Sequence, residues 1–143
     1  MKLARDAAIF FVKSLPINCT FNVISYGSQF SPMFPRSVEY SEENVENAVA
    51  QIQTFNADMC GNEEYTPLKW IFDFKPEYPR SVFLISDGGV GQATRLYQII
   101  RENVNNSRLH AFGIGQGAEK DIIMNLAKSG KGVHEFVEEN ETF

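Results

Sequence analysis

Apolar positions recur along the chain in two rhythms, one of about 3.6 residues and one of short unbroken runs. Leu3, Ala7, Phe10, Phe11 and Leu15 form one helical face between the polar Lys2, Arg5, Asp6 and Lys13. Pro16 stops the pattern, which predicts a helix over 2–15. Residues 21–26 read as a strand closed by Gly27 and Ser28. The stretch 30–40 carries Pro32 and Pro35, so a loop is expected there, with at most a short edge strand near Val38. Ser41 is a suitable N-cap, and Glu42 and Glu43 suit the positive start of a helix. Val45, Ala48, Val49 and Ile52 then fall at i, i+3, i+4 and i+7. Residues 56–64 form a polar loop with three acids, Asp58, Glu63 and Glu64. Pro67 fits the first turn of the next helix, with Leu68, Ile71 and Phe72 as its buried face. Trp70 is one step off that face and is expected to be partly exposed.

The second half opens with Val82, Phe83, Leu84 and Ile85, a run too short for a helix. It predicts a strand buried on both faces, as in a parallel sheet. Leu96, Ile99, Ile100 and Val104 place a helix over 92–104, and 108–114 is the next strand. Gly115, Gln116 and Gly117 make a loop. A helix over 118–128 buries Ile122, Ile123 and Leu126, and Gly130 to Gly132 end it. A last strand runs over 133–137, before an acidic, frayed tail at 138–143. Alternation of this kind predicts an α/β fold: a doubly wound, mostly parallel sheet with helices on both faces. Such sheets bind ligands beyond the C-terminal ends of their strands. Asp87 stands at that position, after Ser86 and before Gly88 and Gly89. It is either a functional carboxylate or the builder of a turn.

Composition narrows the function. A length of 143 residues suits one domain, and 43% hydrophobic with 13% aromatic residues supply a core. A net charge of -5 with scattered basic residues excludes a nucleic-acid surface or a polybasic membrane patch. No signal-peptide core or membrane span is visible, which reads as a cytoplasmic protein. Asn18, Asn105 and Asn140 head glycosylation acceptor patterns, which matter only in a secreted chain. Cys19 and Cys60 have no metal-ligand spacing and read as buried, reduced thiols. Gly113, Gly115 and Gly117 lie between a strand and a helix, where backbone amides cradle phosphate, but the spacing favours a plain turn. His110 and His134 lie on strands with no nucleophile motif beside them, and no P-loop or metalloprotease pattern is present. No enzyme is expected.

Several pieces together resemble a von Willebrand factor type A domain, of the subgroup in the inter-α-trypsin inhibitor heavy chains and related intracellular proteins. They are 4–7 with 11–16, 21–28, 57–62 with Pro67 and Leu68, 82–88, and 112–115 with Leu126, Ala127 and 130–132, in family order over nearly the whole chain. The resemblance implies a Rossmann-like sheet carrying a metal-ion-dependent adhesion site at its C-terminal edge. In the family, three loops build that site: Asp-x-Ser-x-Ser after the first strand, a Thr, and an Asp. The Asp corresponds to Asp87. Asn62 stands where the family has the Thr, and Thr66 is a nearby hydroxyl out of register.

The first central strand, its Asp-x-Ser-x-Ser loop and the closing C-terminal helix have no counterpart here, so the chain reads as a single incomplete domain over 1–143. Marginal stability is expected, because a central strand buries several side chains worth about 1.5–3 kcal/mol each. Asp87 and Asn62 are a residual metal pair, and Mg²⁺ binding is expected only if a longer parent supplies the first loop. The leading expectation is a non-catalytic protein-interaction module. Its binding edge is Asn62, Thr66, Asp87 and Gly88, and its partner is another protein, not nucleic acid or membrane. The rival expectations are metal-dependent ligand binding in the parent, and nucleotide binding through the 113–117 loop.

Overall fold

The computed structural model describes residues 2–27, 29–55, 63–76, 78–86, 90–115 and 119–137. They fall into two compact units that divide between residues 61 and 62.

The first unit contains α1 (Lys2–Lys13), β1 (Thr20–Phe21), β2 (Ile24–Tyr26), β3 (Phe30–Pro32), β4 (Val38–Glu39) and α2 (Glu42–Ile52). α1 ends two residues before the expected Leu15. α2 begins as its sequence dictates: the Ser41 hydroxyl accepts the Asn44 N–H at 3.1 Å, satisfying one orphan donor of the first turn. Val12, Phe21, Ala48 and Ile52 form the buried centre of this unit, with Phe34, Val38 and Tyr40 packed around it. Arg5 Nη1 donates to the Phe55 carbonyl at 2.7 Å and ties α1 to the chain leaving α2.

The strand expected over 21–26 is two strands. β1 pairs antiparallel with β4, and β2 pairs antiparallel with β3, which lies inside the expected loop. Asn22 is the physical reason for the break. Its Oδ1 accepts the N–H groups of Val23 and Phe34, and its Nδ2 donates to the Phe34 carbonyl at 2.9 Å. A side chain thus replaces the ladder at the point where the chain changes partner. Pro32 is tolerated because it closes β3 in a two-stranded ribbon.

The second unit holds α3 (Tyr65–Asp73), β5 (Arg80–Ser86), α4 (Ala93–Glu102), β6 (Ser107–Ile114), α5 (Lys120–Ser129) and β7 (Lys131–Val137). The strands form a parallel sheet in the order β5-β6-β7, so the α/β class with a parallel sheet stands. Leu96 and Ile100 of α4 and Ile123, Leu126 and Ala127 of α5 are buried, as the helical spacing requires. The strand buried on both faces is β6, not β5. Leu109 and Ala111 on one face and Phe112 and Ile114 on the other are all buried, whereas Phe83 of β5 is 41% exposed. β6 has a neighbour on each side, and β5 is an outer strand of the three.

β7 begins at Lys131, two residues before the expected start at Val133. Lys131 turns the chain with a φ of 54°. A Cβ on Gly132 would lie 1.9 Å from the Leu109 carbonyl oxygen, so the absence of a side chain lets β7 meet β6 directly after α5. Cys19 is a free thiol and half-buried rather than buried, while Cys60 lies outside the described residues.

Candidate functional site

Parallel strands fix where a site can form. β5, β6 and β7 end together at Ser86, Ile114 and Val137. Arg80, at the start of β5, sends Nη1 to the carbonyls of Ile71 and Phe74 at 2.8 and 3.0 Å, and Nε to Ser107 Oγ at 2.9 Å. These bonds hold the C-terminal end of α3 at the N-terminal edge of the sheet. The first turn of α3 therefore stands at the C-terminal edge, beside the start of α4.

That first turn is built from acids. Glu63 Oε1 accepts the N–H groups of Tyr65 and Thr66, at 3.1 and 3.3 Å, and so caps α3. Thr66 is exposed on the same turn. Glu64 points the other way and is only 1% exposed. Among the described residues neither of its carboxyl oxygens has a hydrogen-bond partner of ordinary geometry. Desolvation raises its pKa from an ordinary 4.5 to about 7. The backbone amides of Glu64 and Gly91 oppose that rise without closing a hydrogen bond, and the charges of Glu63 and Glu119 add to it.

Opposite Tyr65 lies Arg95, in the first turn of α4. Its guanidinium carbon sits 3.7 Å from the Tyr65 ring centroid, and Nη1 donates to Gln92 Oε1 at 2.6 Å. The start of α5 adds Glu119 and Lys120, both exposed. Gly115 has a φ of 74°, and its N–H is already bonded to the Val137 carbonyl at 2.7 Å.

Of the expected site residues, Thr66 is at this edge. Asn62, Asp87 and Gly88 lie outside the described residues, as do Gln116 and Gly117. Among the described residues no group of three His, Cys, Asp or Glu side chains is placed to hold a metal ion. The described donors do not by themselves suit a hard cation, which needs about six open oxygens. Glu63 is engaged with backbone N–H groups, Glu64 is closed to solvent, and Glu119 belongs to a different helix start. His110 is not free either: its Nδ1 accepts the Val133 N–H at 3.0 Å, and its ring stacks on Phe83.

A family profile described as the von Willebrand factor type A domain matches residues 1–136. The chain belongs to the von Willebrand factor type A family. It is 37% identical over 142 residues to rat von Willebrand factor A domain-containing protein 5A, covering 96% of this chain and 17% of that protein. It is 34% identical to human von Willebrand factor A domain-containing protein 5B1, covering 99% of this chain and 12% of that one. The chain thus spans less than a fifth of the length of these relatives.

Among solved structures, a von Willebrand factor type A protein from Catenulispora acidiphila superposes with a TM-score of 0.83 at 17% identity, over 96% of this chain and 34% of that one. Mussel proximal thread matrix protein 1, solved with a zinc-occupied MIDAS motif, matches with a TM-score of 0.68 at 15% identity, over 94% of this chain and 36% of that one. These likenesses confirm the von Willebrand type A fold expected from the motifs.

Two residues at the edge escaped the sequence reading. Glu64 lies four residues before Leu68 and seven before Ile71, so it shares their helical face. That spacing was the available signal. Arg95 carried no signal, because its partner Tyr65 is thirty residues away in sequence.

Proposed function

We propose that this domain is a non-catalytic protein-interaction module that binds through the C-terminal edge of its parallel sheet, around Asn62, Thr66, Asp87 and Gly88, without a resident metal ion. Family membership supports an interaction role. The observation that carries the metal-free reading is the donor set of the edge, where the described carboxylates are capped, buried or apart. Asn62, a neutral amide in the place of the family's Thr, weakens the site further. The partner is a protein, and the setting is cytoplasmic. No helix among the described residues is long and apolar enough to cross a membrane.

The test is affinity capture with three baits: the 143-residue chain, Thr66→Arg at the edge, and Lys75→Glu beyond the far end of α3. A partner kept by the first and third baits, lost by the second and indifferent to a chelator supports the reading. Equal retention by Thr66→Arg overturns it.

A second reading, metal-dependent binding in a longer parent, draws on the much greater length of the relatives and on the neighbour with a zinc-occupied motif. Calorimetric Mg²⁺ titration of this chain and of a longer one separates the two. The first reading expects no sub-millimolar affinity in the short chain.

A further inference from the structure

A guanidinium is held ready at the rim of this edge. Two elements fix Arg95: the Tyr65 ring of α3 stacks on it at 3.7 Å, and Gln92 Oε1 accepts from Nη1 at 2.6 Å. Gln92 occupies the N-cap position of α4 in a left-handed conformation, φ 54° and ψ 46°, and its side chain makes no cap bond. Residues with side chains rarely adopt that region, and Ser, Thr, Asp or Asn is the usual cap. Here the cap position is given to a residue whose side-chain oxygen is spent on Arg95.

Arg95 nonetheless remains exposed, and among the described residues its polar partner is Gln92. With Nη1 engaged, Nε and Nη2 are left as the parallel pair of donors that matches a carboxylate.

We infer that Arg95 anchors an acidic side chain of the protein partner, its Nε–Nη2 fork donating directly to the carboxylate with no metal between them. This rests on the interaction-module reading above. The physical argument is preorganisation: a guanidinium already fixed at two points loses little side-chain freedom on binding. Charge decides between carboxylate and phosphate. A single guanidinium fork neutralises a monoanion but only half the charge of a phosphate dianion. The chain's net charge of -5 likewise disfavours a polyanion.

The test uses the ¹⁵N-labelled 143-residue chain with a chelator present. It is titrated with the tripeptide Ac-Gly-Glu-Gly-NH₂, its glutamine counterpart, and a phosphoserine counterpart. The glutamate peptide is expected to shift the Arg95 Nε–H resonance and the Tyr65 and Thr66 amides saturably, and the glutamine peptide is not. Arg95→Gln is expected to weaken binding by about tenfold, with the melting temperature unchanged. Arg95→Lys, which keeps the charge and loses the fork, is expected to fall between.

A preference for phosphoserine overturns the assignment. So does a large drop in melting temperature for Arg95→Gln, which would make Arg95 a structural staple. If the edge amides respond equally in Arg95→Gln, the anchor is wrong and the edge reading survives. If no peptide binds, the anchor is again wrong, and the Thr66→Arg capture still decides the edge independently.

Discussion

Glu64 makes the sharpest prediction about this domain, because its environment opposes its charge. The side chain is 1% exposed, both carboxyl oxygens lack hydrogen bonds among the described residues, and its pKa rises from 4.5 to about 7. In the unfolded chain it titrates as an ordinary glutamate. Between the two values the folded state holds a proton that the unfolded state has lost, so stability falls as pH rises. Glu64's favourable contribution is complete below about pH 4.5 and gone above about pH 7. At about 1.4 kcal/mol per pH unit, that interval amounts to about 3 kcal/mol. A Gln at this position carries no charge at either pH but leaves a buried amide to satisfy, which offsets part of the gain. Glu64→Gln is therefore expected to stabilise the chain by about 1–3 kcal/mol at pH 8 and to give little or nothing at pH 4.5. Urea melts of both proteins at half-unit steps from pH 4.5 to 8.5 measure this directly. Parallel stability profiles for variant and wild type would refute the reasoning, since the titrating group would then lie elsewhere.

Three further perturbations probe other parts of the second unit. Arg80→Met removes the bonds to Ile71, Phe74 and Ser107 and strips the α3 C-terminus of its cap; a loss of about 2–3 kcal/mol in a denaturant melt is expected. Gly132→Ala drives a methyl group into the Leu109 carbonyl; a loss of at least about 2 kcal/mol is expected, and a melt within 0.5 kcal/mol of wild type would mean that β7 re-registers freely. Burial, then the charge of Arg108, lowers the His110 pKa below 6.5, so His110 favours folding above pH 6.5 and this contribution is lost as pH falls through its folded value. A ring titration by NMR midway at or above 6.5 would contradict that.

The legible parts of the fold were those where side-chain pattern alone decides. The i, i+3, i+4 spacing and the Ser41 cap of α2 are both present in the structure, and the alternation of apolar runs and helices implied the parallel sheet. The illegible parts depend on partners distant in sequence. β3 is a strand because Ile24 to Tyr26 lie opposite it, and the break at Asn22 follows from its bonds to Phe34. Which strand would be central was also hidden, since both apolar runs look alike until their neighbours are known. At the site, Thr66 was named as a hydroxyl near the family motif, though out of register with it. Glu64 looked like one more acid in a polar loop because its surroundings, Gly91 and Glu119 among them, are distant in sequence, and Arg95 had no local mark at all.

The same dependence on surroundings changes how the charge of this edge should be counted. By composition the loops and helix starts of this edge are acidic, with Glu63, Glu64, Asp87, Glu119 and Asp121 against Arg95 and Lys120. In the structure these charges are not equally available. The Glu63 carboxylate is turned onto two N–H groups of α3, where the partial positive charge of the helix start offsets it. Glu64 is close to half-protonated at neutral pH and closed to solvent. Lys120 lies 5.7 Å from the Phe136 ring centroid. Arg95 remains exposed and fixed in direction. The described part of this edge therefore presents less negative charge than its formal count suggests, and one well-placed positive group, to the partner proposed above. Because that interaction is short-range and depends on a fork rather than on a field, salt should weaken it only modestly over a Debye length of about 8–10 Å. A steep salt dependence would point to diffuse electrostatic attraction instead.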